Sequence, residues 1–249
     1  VRCAIALVGL LAGCDAVFPL DTRDAPPPVE LATCKPEGLV LCLGFEDDLS
    51  GGVAIDQSPS HDDATVSQVA QIEAGGQRAI RVDGASSIQV SSATPVDLSG
   101  RTTASIDLWL RYDSPPAGVF AGLLDKDNQY GIELGSDGTV TCKIQLNNGT
   151  NPVEASARGL TTKKHWYHLA CVKTETDVTM YLDGSQLPSA SHVAGTIEPP
   201  GATLLRIGSD DLQGVPTNAF AGDLDNVRIW NRAMTLQEIA DTLLDDHNR

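Results

Sequence analysis

Aromatic residues are scarce in this 249-residue chain: four Phe, three Trp and four Tyr, together 4% of the sequence. That supply is too thin for a broad platform on which sugar rings or bases stack. Positive charge is scarce as well, with 17 Lys and Arg against 33 Asp and Glu and a net charge of −16. The cations form no run along the sequence. Nucleic-acid binding needs clustered Lys and Arg against phosphate, so no nucleic-acid partner is expected. The same charge disfavours docking on anionic headgroups. It suits divalent cations, because hard cations take carboxylate oxygen. No two cysteines form a Cys-x-x-Cys pair, which argues against zinc or thioredoxin-type redox chemistry. Neither His-Glu-x-x-His nor Gly-x-Ser-x-Gly is present, so two common hydrolase signatures are missing.

What is present is a chain with 41% apolar and 20% charged residues, enough for a packed core. Arg2 precedes an apolar run from Ala4 to Ala12, too short for a membrane helix, which needs ~20 residues. A positive start, a short apolar run and small residues before a cut read as a secretory signal. Leu11-Ala12-Gly13-Cys14 resembles the bacterial lipobox. The resemblance implies cleavage before Cys14 and a diacylglyceryl anchor on its sulfur, hence an exported, membrane-anchored lipoprotein of the cell envelope. Residues 1–14 are then a signal peptide. Residues 15–36 are a tether in which Pro26, Pro27 and Pro28 favour polyproline II. Residues 37–249 form the folded domain.

From Leu39 to Trp230 short alternating segments are broken by turn signals. Leu39, Leu41, Leu43 and Phe45 alternate with Val40, Cys42 and Gly44, and Ile106, Leu108 and Leu110 alternate in ASIDLWLRY. YGIELGSDGTVTCKIQL and HLACVKTETDVTMYLDG read as hairpins, with Asp137-Gly138 and Asp183-Gly184 as positive-φ turns. Many short strands without interleaved helices predict an all-β, two-sheet antiparallel sandwich. One helix closes the chain. Thr235 and Glu238 make a capping box, and Leu236, Ile239, Ala240, Leu243 and Leu244 an apolar stripe.

The remaining four cysteines, Cys34, Cys42, Cys142 and Cys171, allow three connectivities in an exported chain. Cys34–Cys42 and Cys142–Cys171 are expected, with Cys42–Cys171 as the alternative.

Six segments in order resemble laminin-G-like, concanavalin-A-like jelly-roll domains: LVLCLGFEDDLSG, AIRVDG, ASIDLWLRY, HWYHLACVK, MYLDG and FAGDLDNVRIWNRAMTLQEI. That family is shared with pentraxins, legume lectins and some glycoside hydrolases. The resemblance implies a structural calcium ion held by Asp225, Glu46 and Gly84, with Asp210-Asp211 as a weaker alternative. It also implies that Phe45, Trp109, Trp166, Tyr181, Phe220 and Trp230 are core or structural residues. Tyr112, Phe120, Tyr130 and Tyr167 remain for ligand contact, and Tyr112, Tyr130 and Tyr167 are the expected binding residues. Hydrolases on this sandwich carry a Glu-x-Asp-x-Glu type strand, which is absent here. Asp107 has no Glu partner nearby and is expected to face solvent or a loop. His168 is expected to be structural and Arg228 an ion-pair residue. The expected function is a non-catalytic binding module for a glycan or protein ligand. A structural or adhesion protein is the alternative and a glycoside hydrolase a distant third.

Overall fold

A computed structural model describes residues 34, 36–91, 95–147, 152–187, 193–199 and 203–245. All belong to one unit, residues 31–249. The expected signal peptide, Cys14 and nearly all of the expected tether lie outside the described residues. Among the described residues no helix is long and apolar enough to cross a membrane.

The strands are β1 (Leu39–Leu43), β2 (Val53–Ala54), β3 (Ala64–Ser67), β4 (Ala70–Ala74), β5 (Gln77–Val82) and β6 (Ser87–Val90). They continue as β7 (Ala104–Tyr112), β8 (Phe120–Lys126), β9 (Tyr130–Gly135), β10 (Thr139–Ile144), β11 (Val153–Arg158) and β12 (Tyr167–Lys173). The last are β13 (Val178–Leu182), β14 (Ser185–Gln186), β15 (Leu205–Ile207), β16 (Asp210–Leu212), β17 (Val215–Thr217) and β18 (Gly222–Trp230), followed by helix α1 (Leu236–Asp245). Sheet A runs β14-β13-β12-β7-β18-β5-β4, with β1 also on β18. Sheet B runs β11-β10-β9-β8-β15-β6-β3-β2, and β16-β17 is a separate hairpin. This is the expected antiparallel jelly-roll sandwich.

The two sheets differ in how they are covered, and the sequence pattern follows. In sheet B, β10 alternates buried and half-buried residues, as a strand does with one face on the core and one toward water. In sheet A, every residue of β1 and β12 is buried. The inner face packs into the main core with Leu41, Leu43, Ile106, Leu108 and Leu169. The outer face meets a second cluster of Leu39, Cys42, Ala170, Val172, Tyr181, Trp230, Met234 and Ile239. Helix α1 helps close that cluster. Its capping box forms: Glu238 N donates to Thr235 Oγ1 at 3.2 Å and Thr235 N to Glu238 Oε2 at 2.8 Å. The apolar stripe is narrower than expected. Ile239 is buried, but Leu236 and Leu244 are 66% and 64% exposed, because the short helix buries Ile239 and Thr242 instead.

Cys142 on β10 and Cys171 on β12 pair across the two sheets, with Cα atoms 6.2 Å apart. Cys34 and Cys42 pair at 5.9 Å. The Asp137-Gly138 and Asp183-Gly184 turns form, with Gly138, Asp183 and Gly184 all at positive φ.

Asp107 is not at the surface as expected, but fully buried. Its Oδ2 accepts from Arg228 Nη1 at 2.9 Å and faces His168 Nε2 at 3.3 Å, while its Oδ1 accepts from Trp230 Nε1 at 3.1 Å. Burial alone would raise this carboxyl; Arg228, His168 and Trp230 together hold it below the usual range. Arg228 and His168 are thus structural, as expected.

Candidate functional site

The outer face of sheet B carries a cleft of about 290 Å³. Residues level with each other across a sheet point to the same face, so the register assigns its floor. Phe120 is level with Gly135, Gly122 with Glu133, and Asp125 with Gly131. Lys143 lies on the far side of Gly131. Glycine clears this face. A Cβ on Gly122 would collide with the backbone of Ser209 and Asp210, so the β16-β17 hairpin can lie against β8 only because no side chain is there. A Cβ on Gly131 would press on Asp125 Oδ1 at 2.8 Å, so that glycine leaves room for the carboxylate.

The hairpin is held by a buried ion pair. Arg206 Nε donates to Asp211 Oδ2 at 2.5 Å and its Nη2 to Gly214 O at 2.7 Å. Asp211 N then donates to Asp125 Oδ2 at 3.0 Å, and Gln213 N to Asp127 Oδ2 at 3.3 Å. Asp210 Oδ2 accepts from Asn218 Nδ2 at 3.0 Å. Asp125, Asp127, Asp210 and Asp211 therefore line one side of the cleft. On the other side Lys143 Nζ donates to Glu133 Oε1 at 2.5 Å and sits 5.2 Å from the ring centroid of half-exposed Phe120. Gln145 and Asn128 add amides.

The electrostatics follow from this crowding. Burial, and next the Asp210 carboxylate, push Asp125 up to about 8. Burial also raises Asp127 and Glu133. Carboxylates that are reluctant to ionise are matched by hydroxyl or amine donors, or by cations. Among the described residues no three His, Cys, Asp or Glu side chains converge closely enough to hold a metal ion. A second, smaller cavity of about 120 Å³ lies between Cys34, Pro36, Leu39, Trp230 and α1. It is a packing seam under the helix.

The expected binding tyrosines are largely buried, although Tyr130 belongs to the lining of the cleft. Tyr112, Tyr130 and Tyr167 are 4%, 2% and 5% exposed. Tyr112 Oη donates to Leu160 O at 2.5 Å, Tyr130 Oη to Val96 O at 2.7 Å and Tyr167 Oη to Thr162 O at 3.2 Å. Their rings fill the core while each hydroxyl satisfies loop backbone. Conversely Trp166, expected to be structural, is half-buried and lies under the Arg111 guanidinium.

Of the expected calcium ligands, Asp225 lies on β18, Glu46 follows β1 and Gly84 follows β5. Val82 pairs with Gly222 and Ile80 with Leu224. Gly84 therefore lies beyond this pairing, in the turn after β5. The Glu46 carbonyl accepts from the Arg78 guanidinium at 3.2 Å. Asp225 is buried, and its Oδ1 accepts from Asn226 N at 2.7 Å.

Of the cleft residues, Phe120 and the Asp210-Asp211 pair stand out in the sequence, whereas Asp125, Asp127, Glu133 and Lys143 do not. A signal existed in Asp125-Lys126-Asp127, where alternation puts two acids on one face, and in Gly122, Gly131 and Gly135 clearing that face.

Two antiparallel sheets packed face to face with one closing helix are the architecture of a jelly-roll sandwich. The chain matches the Laminin_G_3 family, described as the concanavalin A-like lectin/glucanases superfamily, over residues 82–240. It belongs to that family. No match was found among curated proteins. The binding domain of Paraclostridial Mosquitocidal Protein 1 is similar in structure, with TM-score 0.64 and 19% identity over 84% of this chain and 52% of that one. Domain 4 of AbnA, a GH43 extracellular arabinanase from Geobacillus stearothermophilus, solved with arabinotriose, gives TM-score 0.59 and 19% identity over 82% and 98%. The botulinum neurotoxin DC binding domain, solved with rat synaptotagmin II, gives 0.61 and 10% over 85% and 52%. The chain spans about half the length of the first and third of these. At such identities the likeness is one of fold.

Proposed function

We propose that this chain is an exported, lipid-anchored binding module whose cleft on sheet B takes a neutral glycan. The observation that carries this reading is the cleft itself: aspartates on one side, a half-exposed Phe120 beside Lys143 on the other, and the amides of Asn128 and Gln145 in its lining. Sugar hydroxyls donate to carboxylates, and the apolar face of a sugar ring stacks on one aromatic ring. The similar arabinanase domain bound to arabinotriose supports a sugar ligand. The lipobox-like Leu11-Ala12-Gly13-Cys14 supports the anchor, and display outside the membrane suits a module that captures polymer.

The test is titration calorimetry with arabinan, xylan and β-glucan oligosaccharides. Binding by the wild type should fall at least about tenfold, ~1.4 kcal/mol, in Phe120→Ala. Undiminished binding in that variant, or no binding of any neutral oligosaccharide, refutes the cleft. In the native host, Cys14→Ala should abolish fatty-acid labelling and release the protein from the membrane fraction.

A hydrolytic reading has one observation in its favour: Asp125, held up at about 8, sits in a cleft with other carboxylates. A carboxyl with raised pKa beside an ionised one is the arrangement glycoside hydrolysis uses. Turnover of the same oligosaccharides that disappears in Asp125→Asn would establish it.

A further inference from the structure

We infer that the end of sheet A around Trp166, Arg111 and Arg81 is a second binding site, for an acidic polysaccharide bearing uronate or sulfate groups. Four separate stretches of chain build it. Tyr167 pairs with Leu110, so Trp166 lies beside Arg111. Arg111 pairs with Asp223, and Asp223 with Arg81. The row Trp166–Arg111–Asp223–Arg81 thus crosses four neighbouring strands.

Asp223 organises the row from beneath. It is 1% exposed, and accepts from Arg81 Nε at 2.7 Å, Arg81 Nη2 at 2.9 Å and Arg111 Nε at 2.6 Å. One carboxylate therefore fixes two guanidinium groups side by side while they stay in contact with water; the Arg81 and Arg111 side chains are 46% and 26% exposed. The Arg111 guanidinium also lies 4.9 Å from the centroid of the Trp166 ring. Two guanidiniums locked in this way are pre-organised for carboxylate or sulfate, because little side-chain entropy remains to be lost.

Lys163 and Lys164 complete the patch. Both are exposed, and Lys164 N donates to Tyr112 O at 2.8 Å, which ties their loop to the end of β7. The local acids are Asp223 and Asp113, the latter 4.0 Å from Arg81. Four cations against two carboxylates leave a net positive patch on a chain of net charge −16. Among the other described cations, Lys126, Lys173, Arg206 and Arg228 are buried, Lys143, Arg158 and Arg232 each pair with a carboxylate, Arg78 bonds Glu46, and Arg101 is exposed.

The ligand chemistry follows from the pairing of cations with an aromatic face. A uronate or sulfate finds the guanidinium and ammonium groups, and the ring that carries it finds the half-exposed indole. A slender polymer reaches a local patch, whereas a bilayer would face the wider acidic surface. The cleft on sheet B is lined by carboxylates and repels the same polymer, so the two sites differ in ligand.

The experiment is titration of the full chain with heparin and with polygalacturonate, from about 50 mM to about 200 mM salt, with dextran as the neutral control. Both polyanions are expected to bind, with affinity falling steeply as salt rises. Lys163→Glu combined with Lys164→Glu should weaken both at least about tenfold without moving the melting temperature. Trp166→Ala should weaken both and leave the salt dependence as it was, since stacking releases no counterion. Failure of the wild type to bind either polyanion, or unchanged binding by the lysine double variant, overturns the proposal. Equal binding of dextran does so as well. Tighter, lysine-dependent binding to phosphatidylserine vesicles or to oligodeoxythymidylate would overturn it in favour of those ligands.

Discussion

Asp107 shows how much one side chain carries. Its carboxylate has three partners, Arg228, His168 and Trp230, drawn from two strands on either side of β7. All four side chains are buried. Asp107→Asn would keep the shape and leave the Arg228 charge buried without its counter-ion. Breaking a buried pair from one side costs about 3–5 kcal/mol, so chemical denaturation should show a loss of that order. Asp125 is the opposite case. Its pKa is raised to about 8 by burial and Asp210, so the folded state holds a proton that the unfolded state gives up above ~4. Stability then falls as pH rises from about 4 to about 8 and levels off beyond. Asp125→Asn keeps an acceptor for Asp211 N and removes the charge. It should melt like the wild type near pH 4 and be more stable above pH 8. The gain should be on the order of 1–3 kcal/mol, given solvent screening of a half-buried group. Equal melting at both pH values would show that the carboxylate is comfortable where it stands.

Among the elements, the β16-β17 hairpin decides whether the cleft exists. It contributes Asp210, Asp211 and Leu212 to the wall, and it rests on β8 through a glycine. Gly122 N donates to Asn218 O at 2.8 Å, and Gly208 N to Leu123 O at 2.9 Å. Gly122→Ala would force the hairpin off the sheet, because the atoms in the way are backbone. A cost of about 1–3 kcal/mol is expected, together with loss of glycan binding. Hydrogen exchange should localise the change to residues 209–219, and unchanged protection there would contradict this account. The helix is a contrasting element. Its capping box was legible because it is set by residues three apart, whereas its buried face was not. The apolar stripe fixes which side is greasy, but the amount covered depends on what lies beneath, and Trp230 and Met234 leave room for little more than Ile239 and Thr242.

For the whole molecule, the Cys142–Cys171 bridge joins the two sheets through the core. It closes a separation of 29 residues, for which chain entropy gives about 3–4 kcal/mol. Replacing both cysteines by Ala should lower stability by that order in an equilibrium denaturation, with the family fold retained. An unchanged midpoint would mean that the core alone holds the sheets. The sequence by itself determined the sandwich, its closing helix and the turn glycines. These rest on alternation, capping and short spacings, which are local. Only the tertiary structure decided which aromatics meet solvent, since Tyr112, Tyr130 and Tyr167 alternate as a binding face or a core face equally well. It gathered Asp125, Asp127, Asp210 and Asp211 into one cleft, and Arg81, Arg111, Lys163 and Lys164 at one sheet end. Those groupings depend on which strands become neighbours and in what register, a property of the whole packing that no local window of the chain contains.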